Sequence, residues 1–304
     1  MTPARRNKQL QKTLSMTCVN YNTVWGNKAA NLEKIKSNIE KAAQQGNDLV
    51  VFGEMSLVGF ECDEEGTRRG KPCDMHEELA ETIPGPSTKE IAEMAAALDI
   101  YVVFGMAERE KDNPKIRHNA TVLIGPEGFI GAYRKICLSP APRYNEDLCC
   151  SPGKEVPVFE TRFGLMGIQI CRDFWYVPEL SRILALKGAR LIINTSASPN
   201  VPWRPDFIAH QTVCRAMENI VYAASADIVG KERVTTYAGG SVIAGPLGTQ
   251  PVYARVSDNR ADEFVSATLD FARLQNLRDT NNWQRDRQGK LIARELTNLQ
   301  GCAD

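Results

Sequence analysis

The sequence predicts a single α/β domain, and three observations carry that expectation. Short apolar runs of strand length alternate with amphipathic helical stretches along the whole 304-residue chain. No internal repeat, low-complexity tract or long linker divides it. Hydrophobic residues make up 43% and charged residues 24% at zero formal net charge, the balance of an ordinary globular protein. Residues 1–12 are expected to be an N-terminal extension and 13–304 one domain.

Taken in order, LSMTCVNYN (14–22) reads as the first strand. Leu32, Ile35, Ile39, Ala42 and Ala43 then share one helical face, opposite a row of lysines with Glu33 and Glu40. Gly46 and Asn47 end that helix, and DLVVFGE (48–54) follows as a buried strand. Ser87, with Glu90 three residues on, has the form of an N-cap and capping box for a helix to Leu98. Strands are expected at 100–107, 118–125 and 129–137, the last two joined by a Gly-Pro-Glu-Gly turn at 125–128. A loop rich in Pro, Asn and Cys (139–153) precedes strands at 156–162 and 165–171. Pro178 suits the first turn of a helix that ends at Gly188, and ARLIINTSA (189–197) is again a strand. A helix from about Pro205 to Asn219, a strand at 221–227 and closing strands within 240–256 and 262–269 complete the pattern.

Composition also narrows the function. Nine cysteines, an odd count with no C-x-x-C pair, fit reduced thiols and a cytoplasmic location better than a disulfide framework. Three histidines (His76, His118, His210) accompany them, so no structural metal site is expected and a Cys-His mechanism is short of bases. The Arg5, Arg6, Lys8, Lys12 run has no apolar segment behind it, and no stretch approaches the ~18 residues that cross a bilayer, so no membrane association is expected. No basic stripe with interleaved aromatics suggests a nucleic-acid partner. Glycine-rich nucleotide loops are absent, and no cofactor is expected.

Three segments share one design, an apolar strand running straight into a chemically capable side chain. They are LVVFGEMSLVGF with Glu54, GAYRKICL with Lys135 and MGIQICRDFWYVPEL with Cys171. Residues at strand ends in α/β folds project into the ligand crevice. Alone, each is ordinary: a surface carboxylate, a solvated lysine, a small core thiol. Together a thiol nucleophile, a carboxylate base and a fixed cation make a chemistry that needs neither metal nor histidine.

These segments resemble the Glu-Lys-Cys signatures of the nitrilase superfamily (carbon–nitrogen hydrolases), in family order. The resemblance spans roughly 14–290 and includes the Asn119 strand and the E-x-x-x-x-x-P-G pattern from Glu146 to Pro152-Gly153. RAMEN (215–219) and the G-G-S-x-I-x-x-P-x-G run at Gly239–Gly248 belong to it too. It implies a four-layer α-β-β-α sandwich, dimerising through helices to an eight-layer assembly. It also implies Cys171 as nucleophile, Glu54 as base, Lys135 at the oxyanion and Glu146 holding Lys135. The chain departs from the pattern at Gly53, where proline is frequent, and at Asp227, where asparagine is. It has one residue more between Cys171 and Pro178-Glu179, and Arg172 where true nitrilases usually carry tryptophan.

The expected function is therefore hydrolysis of a small amide or N-carbamoyl compound through a thioester acyl-enzyme, releasing ammonia, in the amidase/N-carbamoyl amidohydrolase-like branch. A nitrilase and a catalytically silent binding scaffold are the alternatives. Arg172, Trp175, Tyr176, Asn200, Trp203 and Arg204 follow Cys171 or the next strand and are the candidate substrate-binding residues. Either arginine can receive a carboxylate bidentately or pair with Asp173 or Asp206. Leu180, Ile183, Leu184 and Leu186 make the helix after Cys171 more apolar than one core stripe needs. By the resemblance it lies, with the helix at 205–219, at a two-fold interface of a homodimer or larger even-numbered oligomer.

Overall fold

The computed structural model describes residues 10–62, 71–140, 144–200, 206–246, 252–253, 263–281 and 283–300. Alternation along the early strands already dictates two packed layers. In β1 (Thr13–Asn20), β2 (Leu49–Val51), β3 (Tyr101–Arg109), β4 (Arg117–Gly125) and β5 (Gly128–Arg134), successive residues face opposite ways. Leu49, Val51, Tyr101 and Val103 enter one apolar cluster, while Val50, Phe52, Val102 and Phe104 enter another. A sheet apolar on both faces must be covered on both.

These strands, with β14 (Glu263–Asp270), form a six-stranded sheet in the order β14-β1-β2-β3-β4-β5. A second six-stranded sheet follows the order β13-β12-β9-β8-β7-β6, from β6 (Val158–Thr161), β7 (Gly164–Ile170), β8 (Leu191–Ser196), β9 (Tyr222–Asp227), β12 (Val242–Ala244) and β13 (Val252–Tyr253). β10 (Val229–Lys231) and β11 (Thr236–Ala238) make a small ribbon beside them. Each sheet has a parallel trio at its centre, β1-β2-β3 in one and β7-β8-β9 in the other.

Helices α1 (Lys28–Gln44) and α3 (Pro86–Leu98) pack on the first sheet; α6 (Pro178–Leu186) and α7 (Phe207–Asn219) pack on the second. The layers are thus α-β-β-α, as the resemblance implied. In α1, Ile35, Ile39 and Ala42 are buried, and each isoleucine so covered contributes roughly 1.5–3 kcal/mol. Asn27 caps α1 by accepting from the Ala30 N–H at 3.1 Å.

Several boundaries differ from the sequence reading. The strand expected over 48–54 ends at Val51, because the chain must leave the sheet to turn Glu54 into the crevice. Helix α3 begins at Pro86 behind Gly85, not behind Ser87, and Thr88 rather than Glu90 reaches back to the Gly85 N–H at 2.7 Å. Ser87 instead gives its N–H and hydroxyl to buried Glu81. Short helices α2 (Asp74–Leu79), α4 (Glu146–Cys149) and α5 (Arg172–Tyr176) and the C-terminal α8 (Phe271–Thr280), α9 (Trp283–Asp286) and α10 (Gly289–Gln300) were not anticipated. No described helix is long and apolar enough to cross a membrane.

Candidate active site

The carboxyl ends of the two parallel trios meet, and this sets the site. The chain leaves β2 through Gly53 and closes a tight turn in which Met55 has φ +50°. That turn lies directly on β3: a Cβ at Gly105 would fall 2.3 Å from the Met55 nitrogen. Glycine at 105 therefore admits the backbone that presents Glu54. From the other sheet, the Ala197 N–H donates to Glu54 Oε2 at 2.9 Å.

Lys135 follows β5 and keeps its ladder, its N–H donating to the Asn119 carbonyl at 2.9 Å. Its ammonium is fully buried and donates at 2.7 Å both to Glu54 Oε1 and to Glu146 Oε2. Glu146 opens α4 and is held there by the Ser139 N–H, which donates to its Oε2 at 2.7 Å. Asn119 spans the same two carboxylates: its Nδ2 donates to Glu54 Oε1 at 2.7 Å and to Glu146 Oε1 at 2.6 Å.

Cys171 sits between β7 and α5 at φ +50°, ψ −106°, a left-handed setting that costs a non-glycine residue roughly 1–3 kcal/mol. The turn holds because the Cys171 N–H is anchored on the Asn194 Oδ1 at 2.9 Å and the Thr195 carbonyl at 3.0 Å. Buried Asp173 then ties this loop to the lysine loop. Its carboxylate accepts from the Tyr133 hydroxyl at 2.7 Å, the Ile136 N–H at 3.0 Å and the Cys137 N–H at 2.7 Å.

Electrostatics follow from this burial. Glu54 is pushed up to about 7, chiefly by loss of solvent, with Lys135 opposing the rise and Glu146 adding to it. The Cys171 thiol is raised by burial and by Glu54, against the pull of Lys135, so attack by this thiol would need a proton acceptor beside it. Burial lowers the Lys135 ammonium but both carboxylates more than offset it, and it is held protonated. Asp227 accepts from the Ser198 N–H at 2.8 Å and is raised by burial toward its neutral form, which can donate as an asparagine amide does.

The structure thus brings Glu54, Lys135 and Glu146 into one hydrogen-bonded group, and Cys171 is electrostatically coupled to it. Arg172 lays its guanidinium 5.5 Å from the Tyr176 ring centroid rather than onto Asp173, which is already engaged. Trp175 is buried, its ring packed edge-on against Phe207 at 5.2 Å, with an indole N–H that has no hydrogen-bond partner. Tyr176 is half-exposed and Asn200 is exposed, its backbone N–H on the Thr236 carbonyl at 2.8 Å. Trp203 and Arg204 lie outside the described residues. The positioning parts played by Asp173 and Gly105 were not read from the sequence. For Asp173 the signal was present, as the acidic residue two places after the cysteine.

Comparison with known proteins agrees with this geometry. The carbon–nitrogen hydrolase family profile matches residues 15–279. A nitrilase of Pyrococcus abyssi is 36% identical over 264 residues, covering 85% of this chain and 91% of its own. An omega-amidase of Xenopus tropicalis is 30% identical over 275 residues, covering 88% and 93%. The crystal structure of a carbon–nitrogen hydrolase from Helicobacter pylori shares the fold with a TM-score of 0.78 at 22% identity, covering 93% and 98%. A buried carboxylate–lysine–carboxylate group beside a strained cysteine, in a sandwich of this topology and with these relatives, leaves one assignment: the chain belongs to the carbon–nitrogen hydrolase family of the nitrilase superfamily.

Proposed function

We propose that this hydrolase cleaves the C–N bond of a small carboxamide or N-carbamoyl compound through a thioester at Cys171. The observation that carries the reading is the fully buried Glu54, poised near neutrality and bonded to Lys135 at 2.7 Å. A base with that affinity takes the thiol proton as Cys171 Sγ attacks the carbonyl carbon, then returns it to the departing nitrogen. Ammonia leaves, a thioester remains, and Glu54 next draws a proton from the water that hydrolyses it. The Lys135 ammonium has three N–H donors and commits two to carboxylates. The third serves the oxyanion, with a backbone N–H just after Cys171 as second donor. Glu146 and Asn119 position the lysine and the base.

Arg172, beside the nucleophile with a buried Nε that lacks a hydrogen-bond partner, is the candidate receiver for a substrate carboxylate. Nitrile hydrolysis is the second reading, favoured by the Pyrococcus abyssi relative. The test is a panel of amides, N-carbamoyl amino acids and nitriles scored for ammonia, with Cys171→Ala as control. Turnover of amide or carbamoyl substrates that vanishes in the variant is expected. Turnover confined to nitriles would move the assignment, and full turnover in Cys171→Ala would overturn the mechanism.

A further inference from the structure

Cysteine spacing along the chain argues against a metal centre, yet folding gathers four widely separated ligand-type side chains beneath the active-site loops. Cys62 closes the loop that Glu54 begins; Cys73 precedes α2 and His76 lies in its first turn; Cys149 ends α4, the helix that carries Glu146. The ligand atoms of Cys62, Cys73 and His76 lie within 4.8 Å of one another, all buried. Cys149 Sγ is 3.5 Å from Cys62 Sγ. Two sulfurs bound to one tetrahedral zinc at ~2.3 Å stand about 3.8 Å apart, so the observed separation suits a shared metal.

A second feature points to a ligand independently of the thiols. His76 is 4% exposed, and its Nε2 lies 2.9 Å from the Gly59 carbonyl, which can only accept. That bond fixes a hydrogen on Nε2, so Nδ1 is the ring atom left to bind a ligand. Nδ1 is buried and faces Cys73 and Cys149, with no hydrogen bond of ordinary geometry to either. An imidazole oriented by a backbone carbonyl through one nitrogen, with the other aimed among thiols, is how proteins present histidine to zinc. The Cys73 N–H donates to Cys149 Sγ at 3.1 Å, as backbone amides do to ligating sulfur.

We propose that Cys62, Cys73, His76 and Cys149 form a tetrahedral site for a thiophilic divalent cation, with zinc the ion that this donor set suits. Binding releases the protons the three thiols still hold, together with that on His76 Nδ1, and leaves a Cys₃His centre of net charge −1, closed to substrate. It clamps the loop from Glu54 to the helix bearing Glu146, so the metal is structural and positions the two carboxylates that hold Lys135. The site is independent of which amide the enzyme cleaves.

The full chain, purified under reducing conditions, is assayed for zinc by elemental analysis and then titrated as apoprotein with cobalt(II). About one zinc per chain is expected. Cobalt should give the visible bands of a tetrahedral ion and thiolate-to-cobalt charge transfer in the near ultraviolet. Cys149→Ser and His76→Ala should each weaken zinc binding by at least about tenfold, whereas Cys214→Ser, an exposed thiol on α7, should not change it. The cobalt spectrum of the unmutated protein keeps the proposal testable if a variant fails to fold. Zinc affinity equal in wild type and both ligand variants, or an octahedral cobalt spectrum, would refute it. So would a metal-free protein whose non-reduced peptide map shows a Cys62–Cys149 disulfide.

Discussion

Asn119→Leu tests the proposed base without touching the base itself. The side chain is 1% exposed, and its amide donates at 2.7 Å to Glu54 and at 2.6 Å to Glu146. Leucine keeps the branched outline of the amide, with bulkier methyls, and removes both donors while leaving the lysine in place. A hydrogen bond to an ionised group contributes about 1.5–3 kcal/mol. Because the amide favours the charged form of Glu54, losing it raises that carboxyl further, by about 1–2 pH units at 1.36 kcal/mol each. From a starting point of about 7 the ionised fraction at pH 7 then falls roughly 5- to 50-fold. A base must be deprotonated to act, so kcat/KM should rise with pH through about 7 in wild type and through about 8–9 in the variant. Initial rates of ammonia release from pH 5.5 to 9.5 measure both curves. A variant that loses activity equally at every pH would show that Asn119 only packs, and an unshifted profile near full activity would refute Glu54 as the titrating base.

Four further outcomes follow from the same geometry. Cys171→Ala should fold with an unchanged melting temperature or a higher one, since the φ +50° turn stays anchored, and should lose kcat by several orders of magnitude in the ammonia assay. Lys135→Arg keeps the charge but cannot fit a planar fork where a compact ammonium makes two 2.7 Å contacts; kcat should fall by about 10²–10³, as for loss of an oxyanion donor, measured under saturating substrate. Gly105→Ala drives a methyl against the Met55 nitrogen at 2.3 Å, so a destabilisation of about 1–3 kcal/mol should appear in denaturant melts together with a drop in kcat. Ile183, Leu186 and Met217 remain 38%, 36% and 48% exposed on α6 and α7, so sedimentation should give a dimer or larger even oligomer that Ile183→Glu dissociates.

The strand ends proposed to carry the chemistry were legible because burial forces apolar runs, and a chemically capable residue at the end of such a run stands out. Glu54, Lys135 and Cys171 stood out that way in combination, and the resemblance to the nitrilase superfamily gave them their expected roles. Their mutual arrangement was not, since Asn119 and Asp173 act through contacts between elements that no local pattern encodes. Short helices such as α2 and α5 span fewer residues than periodicity needs to declare itself. Ser87 looked like a cap by residue type, but Glu81, brought alongside by the fold, claims its hydroxyl at 2.8 Å, and Gly85 takes the capping position. The Cys62–Cys73–His76 group was hidden for the opposite reason to the strands: its ligands are ordinary singly and meet only in three dimensions.

Asn119 lies in one sheet and Glu54 and Lys135 follow its strands, while Cys171 and the Ala197 amide follow strands of the other. Between them, deep in the sandwich, the Thr121 and Thr195 hydroxyls hydrogen-bond at 2.7 Å. The groups proposed to react therefore stand on opposite scales of a vernier, and the threonine pair is the mark where the scales coincide. Slippage by a single strand residue, about 3.3 Å, exceeds the length of a hydrogen bond and misaligns nucleophile and base even if both sheets stay intact. If these groups act as proposed, turnover is a gauge of how one half of the molecule sits on the other.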